Sequence, residues 1–530
     1  MKTESCKYSN IFNVVEYLLN SSGYIPVIED RVALRYREQI ITYNDIRRYV
    51  YNYGGYFLHC GLKRGDRLAI LLPDQPQYVY AFLGAILVGV VPVLINTRLS
   101  LANIKYILDD SGASMLVSTS GWKQKLEGIY LHKGIFTIDS NPPYGGSHTV
   151  HDEYCSEGLP IKVETTKDDL AFLLYTSGSS GPPKGVMHLQ RDMLICADLY
   201  GKNVLNLSSG DVLYSASRLG FAYGLGSSIF LPFYVAASSI LSYDDGVFAI
   251  METINRYKPT VFFAVPTIYA LLLKLSTDMD IDTSCLRLCV SAGEVLPKAI
   301  WEEWRRKFGI EILEGFGTTE MLHVFLSNTP SMIKPGSVGT VVPGYSVKIV
   351  DDDGRDVKPG RVGNLLVSGD SQMAGYWNKD ELTQNTMVGS MIRTGDKVWW
   401  DTDGFVWYVG RSTDCFKING EWVNAYEIEN ILLGHSCIDE VVVYSEFSDG
   451  QLAHVVASVK LNSSCTPSED LTLDIIKFTK QRLAHFKCPK RIVYVNEVPK
   501  GPTGKVDRKK IIGDYGGTKR HEGQVDLIKD

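Results

Sequence analysis

The chain has 530 residues, of which 45% are hydrophobic and 22% charged, and its formal net charge is −6 at pH 7. A chain of this length is too long to fold around a single hydrophobic core, so two or more domains are predicted. Because there is no basic excess, the composition argues against nucleic acid or an anionic membrane surface as a partner. The ten cysteines form no CxxC pairs, so neither a zinc cage nor a disulfide framework is indicated.

Nothing in the sequence predicts export or a membrane span. Residues 1–5 lack the apolar core of a signal peptide. The uncharged stretch 81–95 is too short for a span, and the stretch 219–243 is interrupted by glycine, proline and serine. We therefore expect a cytoplasmic protein with reduced thiols.

Up to about residue 330, short apolar strands alternate with helical segments. The strands are predicted at 68–72, 115–117, 171–174, 261–265 and 286–290. Helices are predicted at 78–88 and 300–308. Continuous apolar strands separated by helices predict an α/β fold with parallel sheets covered on both faces. Ligands of such folds bind at the carboxyl ends of the strands.

The pattern of predicted secondary structure changes after residue 330. Alternating strands at 347–350, 365–367 and 405–409 predict a smaller β-rich subdomain. Beyond Arg411 a compact α+β pattern follows, with strands at 440–444, 454–460 and 491–495 and a helix at 473–486. We therefore expect an N-terminal domain, 1–411, made of two layered α/β subdomains and the β-rich subdomain, and a small mobile α+β C-terminal domain, 412–530.

A loop rich in glycine and hydroxyl groups follows the predicted strand 171–174. Between Thr176 and Gly185 it contains three glycines, four hydroxyl side chains and Lys184. Such a loop can surround a polyphosphate with N–H groups, hydroxyls and one ammonium. Its spacing is not that of the common P-loop, and a flexible turn is an equally good interpretation of this loop alone.

Three further segments carry candidate side chains. In 315–320, Thr319 and Glu320 can hold a phosphate-bound Mg²⁺, although a tight turn with a solvated glutamate explains the segment as well. Asp396 can accept both ribose hydroxyls or serve only as a turn residue. Lys505 lies in a loop far along the chain, where most lysines are merely solvated.

Taken in order, five segments resemble the adenylate-forming superfamily, which comprises acyl- and aryl-CoA ligases, luciferases and the adenylation domains of peptide synthetases. They are residues 175–185, 315–320, 393–396, 410–411 and 499–505. The resemblance extends over nearly the whole chain, from residue 40 to Lys505. It implies that a carboxylate attacks ATP to form an acyl-adenylate, which a thiol then cleaves.

The resemblance also implies roles for individual residues. The residues expected to bind ATP are Thr176, Ser177, Gly178, Ser179, Ser180, Gly181, Lys184, Gly293, Glu294, Phe316, Gly317, Asp396 and Arg411. The residues expected to be catalytic are Lys505, Thr319 and Glu320, with Mg²⁺ bound at Glu320. The C-terminal domain is expected to rotate between the half-reactions, with Thr413 at the pivot, where family members commonly carry Asp or Lys.

Within the superfamily, residues 221–226, 320–328 and 375–378 are similar to benzoate-CoA ligases. The pocket that this implies for a flat aromatic acid consists of Ala222, Tyr223, Gly315, Gly317, His323 and Lys417. Tyr223 and His323 are also compatible with an ordinary core. Gly220 and Phe316 differ from the benzoate pattern, and either difference can admit a hydroxyl or amino substituent on the ring.

The leading interpretation is an aryl-CoA ligase that uses ATP, Mg²⁺ and CoA, as a monomer or homodimer. A stand-alone adenylation enzyme that loads an aryl acid onto the phosphopantetheine of an acyl carrier protein is the alternative. A binding protein that has lost catalysis is disfavoured, because Lys184, Glu320, Asp396 and Lys505 are all present.

Overall fold

The computed structural model describes residues 12–19, 30–138, 163–176, 182–242, 246–412, 414–418, 421–447, 453–499 and 508–515. The chain forms two compact units. The first comprises Met1–Val347, Leu366–Thr394 and Asp403–Trp407, and the second comprises Lys348–Leu365, Gly395–Thr402 and Tyr408–Asp530. The fold is α/β, with a large N-terminal domain and a small C-terminal one, as predicted. The boundary at residue 411 stays a prediction.

A nine-stranded sheet forms one layer of the first unit. In spatial order its strands are Thr340–Val341, Val324–Ser327, Ile312–Gly317, Leu288–Ser291, Val261–Ala264, Val212–Ser215, Ser238–Ile240, Val32–Tyr36 and Gln39–Thr42. The central strands pair in parallel, and the strands at both edges are antiparallel. The carboxyl ends of the parallel strands therefore lie along one edge of the sheet.

A seven-stranded sheet forms a second layer of the first unit. In spatial order its strands are Gly375–Tyr376, Lys184–Leu189, Leu170–Thr176, Val91–Leu94, Arg67–Leu71, Met115–Ser118 and Ile135–Thr137. The last five pair in parallel. Lys184–Leu189 is antiparallel to both of its neighbours, so the glycine-rich loop joins two antiparallel strands.

Helices alternate with these strands, as the predicted α/β pattern requires. Those described in the first unit are Val14–Leu19, Tyr43–His59, Pro76–Leu87, Leu101–Ser111, Ser120–Lys125, Gln190–Cys196, Ala222–Leu225, Leu231–Tyr234, Val247–Tyr257, Pro266–Leu275, Lys298–Phe308 and Asp380–Thr386. The helix Tyr43–His59 begins at a capping box between Thr42 and Asp45. Pro76–Leu87 begins at a proline and is buried on nearly all sides. No helix of the described residues is long and apolar enough to cross a membrane.

The β-rich stretch and the C-terminal part complete the chain. The strands of the former are Ser346–Val350, Gly363–Ser368, Met387–Val388, Met391–Trp400 and Val406–Arg411. Further on, a hairpin is formed by Cys415–Ile418 and Glu421–Asn424, and a sheet by Ile438–Phe447, Ala453–Leu461 and Arg491–Tyr494. The helices here are Ala425–Leu432, Glu469–Lys480 and Arg508–Tyr515. The first two of these helices pack on a core that includes Val443, Ala457 and Ile475, and Ile511 of the third belongs to a second cluster with Val442 and Val493.

Two features of the C-terminal part differ from the sequence-based predictions. Cys437 and Cys465 form a disulfide, although the cysteine spacing indicated no disulfide framework. The helix expected at 473–486 instead spans Glu469–Lys480 and so begins four residues earlier than expected. It begins there because the Ser468 side chain caps its amino end. The apolar Leu483 and Phe486 lie beyond the helix and still pack against the core.

Candidate active site

The glycine-rich loop is held by the antiparallel pair Leu170–Thr176 and Lys184–Leu189. Thr176 and Lys184 are opposite each other in the register of this pair. The Thr176 hydroxyl is buried and has no hydrogen-bond partner among the described residues. Residues 177–181, which carry the predicted phosphate contacts of Ser177, Gly178, Ser179, Ser180 and Gly181, lie outside the described part of the chain.

Lys184, Tyr376 and Glu320 are joined by two hydrogen bonds and an ion pair. Lys184 Nζ donates to the Tyr376 hydroxyl at 2.7 Å, and that hydroxyl donates to Glu320 Oε1 at 2.6 Å. Lys184 Nζ also lies 3.4 Å from Glu320 Oε1 and 4.2 Å from the centre of the Tyr376 ring. The predicted phosphate lysine and the predicted metal carboxylate are thus in direct contact.

The Glu320 carboxylate is ionised at neutral pH. Burial favours its protonated form, but the Lys184 ammonium and the Tyr376 hydroxyl outweigh this effect, and the pKa of Glu320 lies below its ordinary value. The described residues contain no cluster of three metal-ligating side chains. A single ionised carboxylate nevertheless fits Mg²⁺, because this ion is commonly bound by one or two carboxylates together with substrate phosphates.

Glu320 lies in a strained turn. Thr319–Met321 form one turn of 3₁₀ helix, after which Leu322 takes φ +68° and ψ −44°. This backbone lies near the rare γ-turn region and costs on the order of 1–3 kcal/mol for a residue with a side chain. Every carbonyl of the turn accepts a hydrogen bond from another part of the chain. The donors are His188 Nε2 to Thr319 at 2.8 Å, the Met373 N–H to Glu320 at 2.8 Å and Ser371 Oγ to Met321 at 3.0 Å.

The predicted adenine contacts lie just after the strand Leu288–Ser291 and within the strand Ile312–Gly317. Gly293 has φ +89°, which suits glycine, and the exposed Glu294 accepts a hydrogen bond from Thr267 Oγ1 at 2.9 Å. The Phe316 ring meets the Phe325 ring edge-on at 5.6 Å.

The predicted acid pocket contains a buried imidazole among aromatic rings. His323 is 3% exposed, and its ring centre lies 5.5 Å from that of Tyr200, 5.8 Å from that of Tyr223 and 5.9 Å from that of Phe230. Neither ring nitrogen has a hydrogen-bond partner among the described residues. Burial lowers the pKa of His323 to about 4, although the nearby backbone of Tyr223 opposes the shift, so the ring is neutral at pH 7.

The glycines next to this imidazole allow close packing. A Cβ on Gly317 would lie 2.3 Å from the carbonyl oxygen of His323, and one on Gly315 would lie 2.9 Å from Val324 Cγ1. Close approach of the neighbouring strand therefore accounts for both glycines. Their contact with an acid, and that of the half-buried Ala222, stays a prediction.

The predicted ribose residues meet within the second unit. Arg411 Nε lies 3.2 Å from Asp396 Oδ1, and the Tyr408 hydroxyl donates to the same oxygen at 3.1 Å. Asp396 is fully buried. In the same unit, Lys417 lies on the hairpin with Nζ 4.7 Å from the centre of the Trp422 ring. Lys505 and Thr413 lie outside the described residues, so their roles stay predictions.

Sequence reasoning missed two residues next to Glu320. Tyr376 was visible only as part of the segment 375–378 that resembles benzoate-CoA ligases. Apart from Lys184 at its start, the strand Lys184–Leu189 is apolar except for His188, and this polar side chain was the signal for the contact with Thr319.

The fold and these sites define the class of adenylate-forming enzymes. Residues 27–377 match the family of AMP-binding enzymes, and residues 427–505 match the AMP-binding enzyme C-terminal domain. The chain belongs to this family and is an AMP-forming acid–CoA ligase.

The chain is similar to several ligases whose names state an aryl acid as substrate. The chain is 35% identical to a 4-hydroxybenzoate-CoA/benzoate-CoA ligase of Rhodopseudomonas palustris, covering 90% of each chain. It is 35% identical to a benzoate-CoA ligase of Thauera aromatica, covering 85% of this chain and 86% of the relative. A crystal structure of the anthranilate-CoA ligase AuaEII with anthranoyl-AMP superimposes with a TM-score of 0.82 at 33% identity, covering 97% of this chain and 99% of that one.

Proposed function

We propose that the acid activated by this ligase is benzoate or a benzoate with a hydroxyl or amino substituent. The observation that carries the proposal is His323, a neutral buried imidazole that packs against Tyr223 and has no hydrogen-bond partner among the described residues. Aromatic rings pack well against a flat acid. A neutral imidazole can donate or accept one hydrogen bond, which suits a polar ring substituent. The names of the relatives support the same class of acid.

In the first half-reaction, the substrate carboxylate attacks the α-phosphorus of ATP, and pyrophosphate leaves. The barrier is electrostatic, because an anion approaches a polyanion. We propose that Lys184 neutralises phosphate charge, that the Thr176 hydroxyl donates to a phosphate oxygen, and that Lys505 neutralises charge where the new bond forms. Mg²⁺, when bound at Glu320 beside Thr319, would supply further neutralisation of the phosphates.

In the second half-reaction, the CoA thiolate attacks the carbonyl carbon of the aryl-adenylate, and AMP leaves as the thioester forms. This step moves less negative charge against the phosphates, so Lys184 and Glu320 matter less. Asp396, paired with Arg411, is proposed to bind the ribose hydroxyls of the nucleotide in both steps. Lys417 is proposed to lie near the acid carboxylate or the thioester.

The test is ATP-dependent release of pyrophosphate across benzoate, 2-aminobenzoate, the hydroxybenzoates, cinnamate and short fatty acids, each with and without CoA. We expect a benzoate to be turned over fastest, with a rate that rises with CoA and a thioester as product. A preference for fatty acids would contradict the proposed acid. Adenylate formed without a CoA thioester would favour a carrier protein as acceptor.

A variant separates the acid pocket from the nucleotide site. We expect His323→Ala to change the ratio of kcat/KM between two benzoates by about tenfold, while KM for ATP changes by less than about threefold. The steady-state kinetics of both substrates measure this. A larger effect on ATP than on the acid would remove His323 from the acid pocket.

A further inference from the structure

A fully buried histidine–aspartate pair lies directly beneath the turn that carries Glu320. His188 Nδ1 lies 2.9 Å from Asp192 Oδ2, and both side chains are 0% exposed. The other ring nitrogen, Nε2, lies 2.8 Å from the carbonyl oxygen of Thr319. The Leu189 N–H also donates to Asp192 Oδ2, at 2.9 Å. The two half-reactions described above use neither His188 nor Asp192.

The contacts determine how many protons the pair holds. A carbonyl oxygen only accepts, so Nε2 must carry a proton and donate it to Thr319. The contact between Nδ1 and the carboxylate then requires a second proton between those two atoms. The pair is therefore either imidazolium with carboxylate or imidazole with carboxylic acid, and both forms are neutral overall. Burial raises the pKa of Asp192 although His188 and Leu189 oppose the shift, which is compatible with a proton shared within the pair.

The position of the His188 Nε2–H donor, next to the strained turn, points to a role in holding that turn. Leu322 holds the turn in a conformation that a leucine rarely adopts, and such strain persists only where surrounding contacts over-determine it. His188 supplies one of those contacts at Thr319, the residue immediately before Glu320. A change in the direction of this carbonyl would rotate the Thr319–Glu320 peptide, which is attached to the Cα that carries the Glu320 side chain.

We propose that His188, oriented by Asp192, is a positioning residue for adenylate formation, because its Nε2–H fixes the Thr319 carbonyl and thereby the Glu320 carboxylate beside Lys184. This inference rests on the proposed role of Glu320 in the first half-reaction. It gives the buried pair a role in catalysis in addition to its contribution to the folded core. The second half-reaction, which does not release pyrophosphate, is independent of the pair.

Two amide variants test the proposal because each can keep one of the two contacts. In His188→Asn the amide can reach Asp192 but not Thr319, whereas in His188→Gln it can reach Thr319. We expect His188→Asn to lower kcat for acid-dependent ATP–pyrophosphate exchange by at least about tenfold. We expect thioester formation from supplied aryl-adenylate and CoA to change by less than about threefold, and His188→Gln to restore most of the exchange rate.

Controls separate this inference from the function on which it rests. Glu320→Gln must lower the exchange rate; if it does not, the proposed role of Glu320 fails first. His435→Asn removes another buried histidine, paired with Asp474 at 3.2 Å in the second unit, and is expected to leave the ratio of the two half-reactions unchanged. If His188→Asn does not fold, His188→Phe replaces it, since a phenyl ring keeps the contact with Phe172 and has no donor.

Three results would overturn the proposal. One is an equal loss in both half-reactions, which a merely structural role would produce. Another is a glutamine variant as impaired as the asparagine variant. The third is an unchanged exchange rate in every variant at His188 while Glu320→Gln is impaired.

Discussion

Tyr376 joins two charged side chains that come from different parts of the sequence. Its hydroxyl accepts from Lys184 and donates to Glu320, so both charges are oriented before ATP arrives. Hydrogen bonds to charged groups contribute about 1.5–3 kcal/mol each. The hydroxyl therefore acts on the geometry of the site although it is not expected to react.

Replacement of this hydroxyl should slow adenylate formation. We expect Tyr376→Phe to lower kcat for ATP–pyrophosphate exchange by about tenfold, because the Glu320 carboxylate loses its donor. Tyr494→Phe is a matched control, since it removes a hydroxyl that contacts Thr472 in the second unit. Exchange kinetics of the two variants, measured side by side, check this. Equal rates in both would show that the bridge has no role in the first step.

Glu314 is a buried acid whose charge state affects stability. Its Oε1 accepts from the Leu296 N–H at 2.9 Å, and its Oε2 has no partner among the described residues. Burial, partly offset by that hydrogen bond, raises the pKa of Glu314 to about 8. Between the ordinary pKa and this value, the folded chain retains a proton that the unfolded chain releases. This group therefore costs stability progressively as the pH rises through that interval.

Glu314→Gln should remove this pH dependence, because glutamine resembles the protonated acid. We expect the free energy of unfolding of the variant, relative to the unmodified chain, to rise between about pH 5 and about pH 8, by on the order of 3 kcal/mol, and to level off above that. Urea unfolding at several pH values measures the difference. A difference that stays constant with pH would contradict a raised pKa at Glu314.

At the scale of elements, the strands were the most predictable part of the fold. Apolar runs such as 171–174 and 261–265 marked strands to within a few residues, because a strand buried on both faces needs continuous apolar side chains. The helix Glu469–Lys480 was misplaced, because its first turn is polar and is set by the cap at Ser468. The antiparallel pairing of the two strands that flank the glycine-rich loop was not predicted, since the pairing of strands depends on contacts with residues distant in sequence.

The site was less predictable than the elements that carry it. Lys184 and Glu320 were identified from motifs, and the structure brings them together. The contacts of His188 and Tyr376 arise only when strands from separate parts of the chain become neighbours. A single histidine in an apolar strand is ordinary in sequence, and only its partner, the Thr319 carbonyl, distinguishes it.

The segment Gly226–Phe230 packs closely against His323 of the predicted acid pocket, and a side chain at Gly226 would collide with that imidazole. A Cβ on Gly226 would lie 2.3 Å from His323 Cδ2 and 2.8 Å from Phe230 Cζ. We expect Gly226→Ala to destabilise the fold by about 1–3 kcal/mol, because overpacking displaces the imidazole, and to raise KM for the acid. Gly121→Ala is the control, since at that helical glycine the added carbon has no atom within 4 Å apart from the adjacent residues and the backbone of its own helix. Denaturant unfolding and acid kinetics measure both effects, and a neutral Gly226→Ala would show that the imidazole can move at no cost.

At the scale of the whole molecule, the predicted functions are divided between the two units. The first carries Lys184, Glu320 and the imidazole of His323. The second carries the Asp396–Arg411 pair and, in sequence, Lys505. If the two half-reactions use the second unit differently, residues of that unit should affect the half-reactions unequally.

Lys505→Ala tests this division most directly. We expect it to lower adenylate formation by more than about tenfold, because the ammonium no longer offsets charge at the α-phosphorus. Thioester formation from supplied aryl-adenylate should be largely preserved. The resemblance implies that the C-terminal domain rotates and moves this lysine out of the site before the thiol reacts. Lys510→Ala, which removes an exposed lysine of the helix Arg508–Tyr515, is the control for loss of charge. Rapid-quench measurement of each half-reaction separates the two steps, and an equal loss in both would contradict a second unit that changes its role between them.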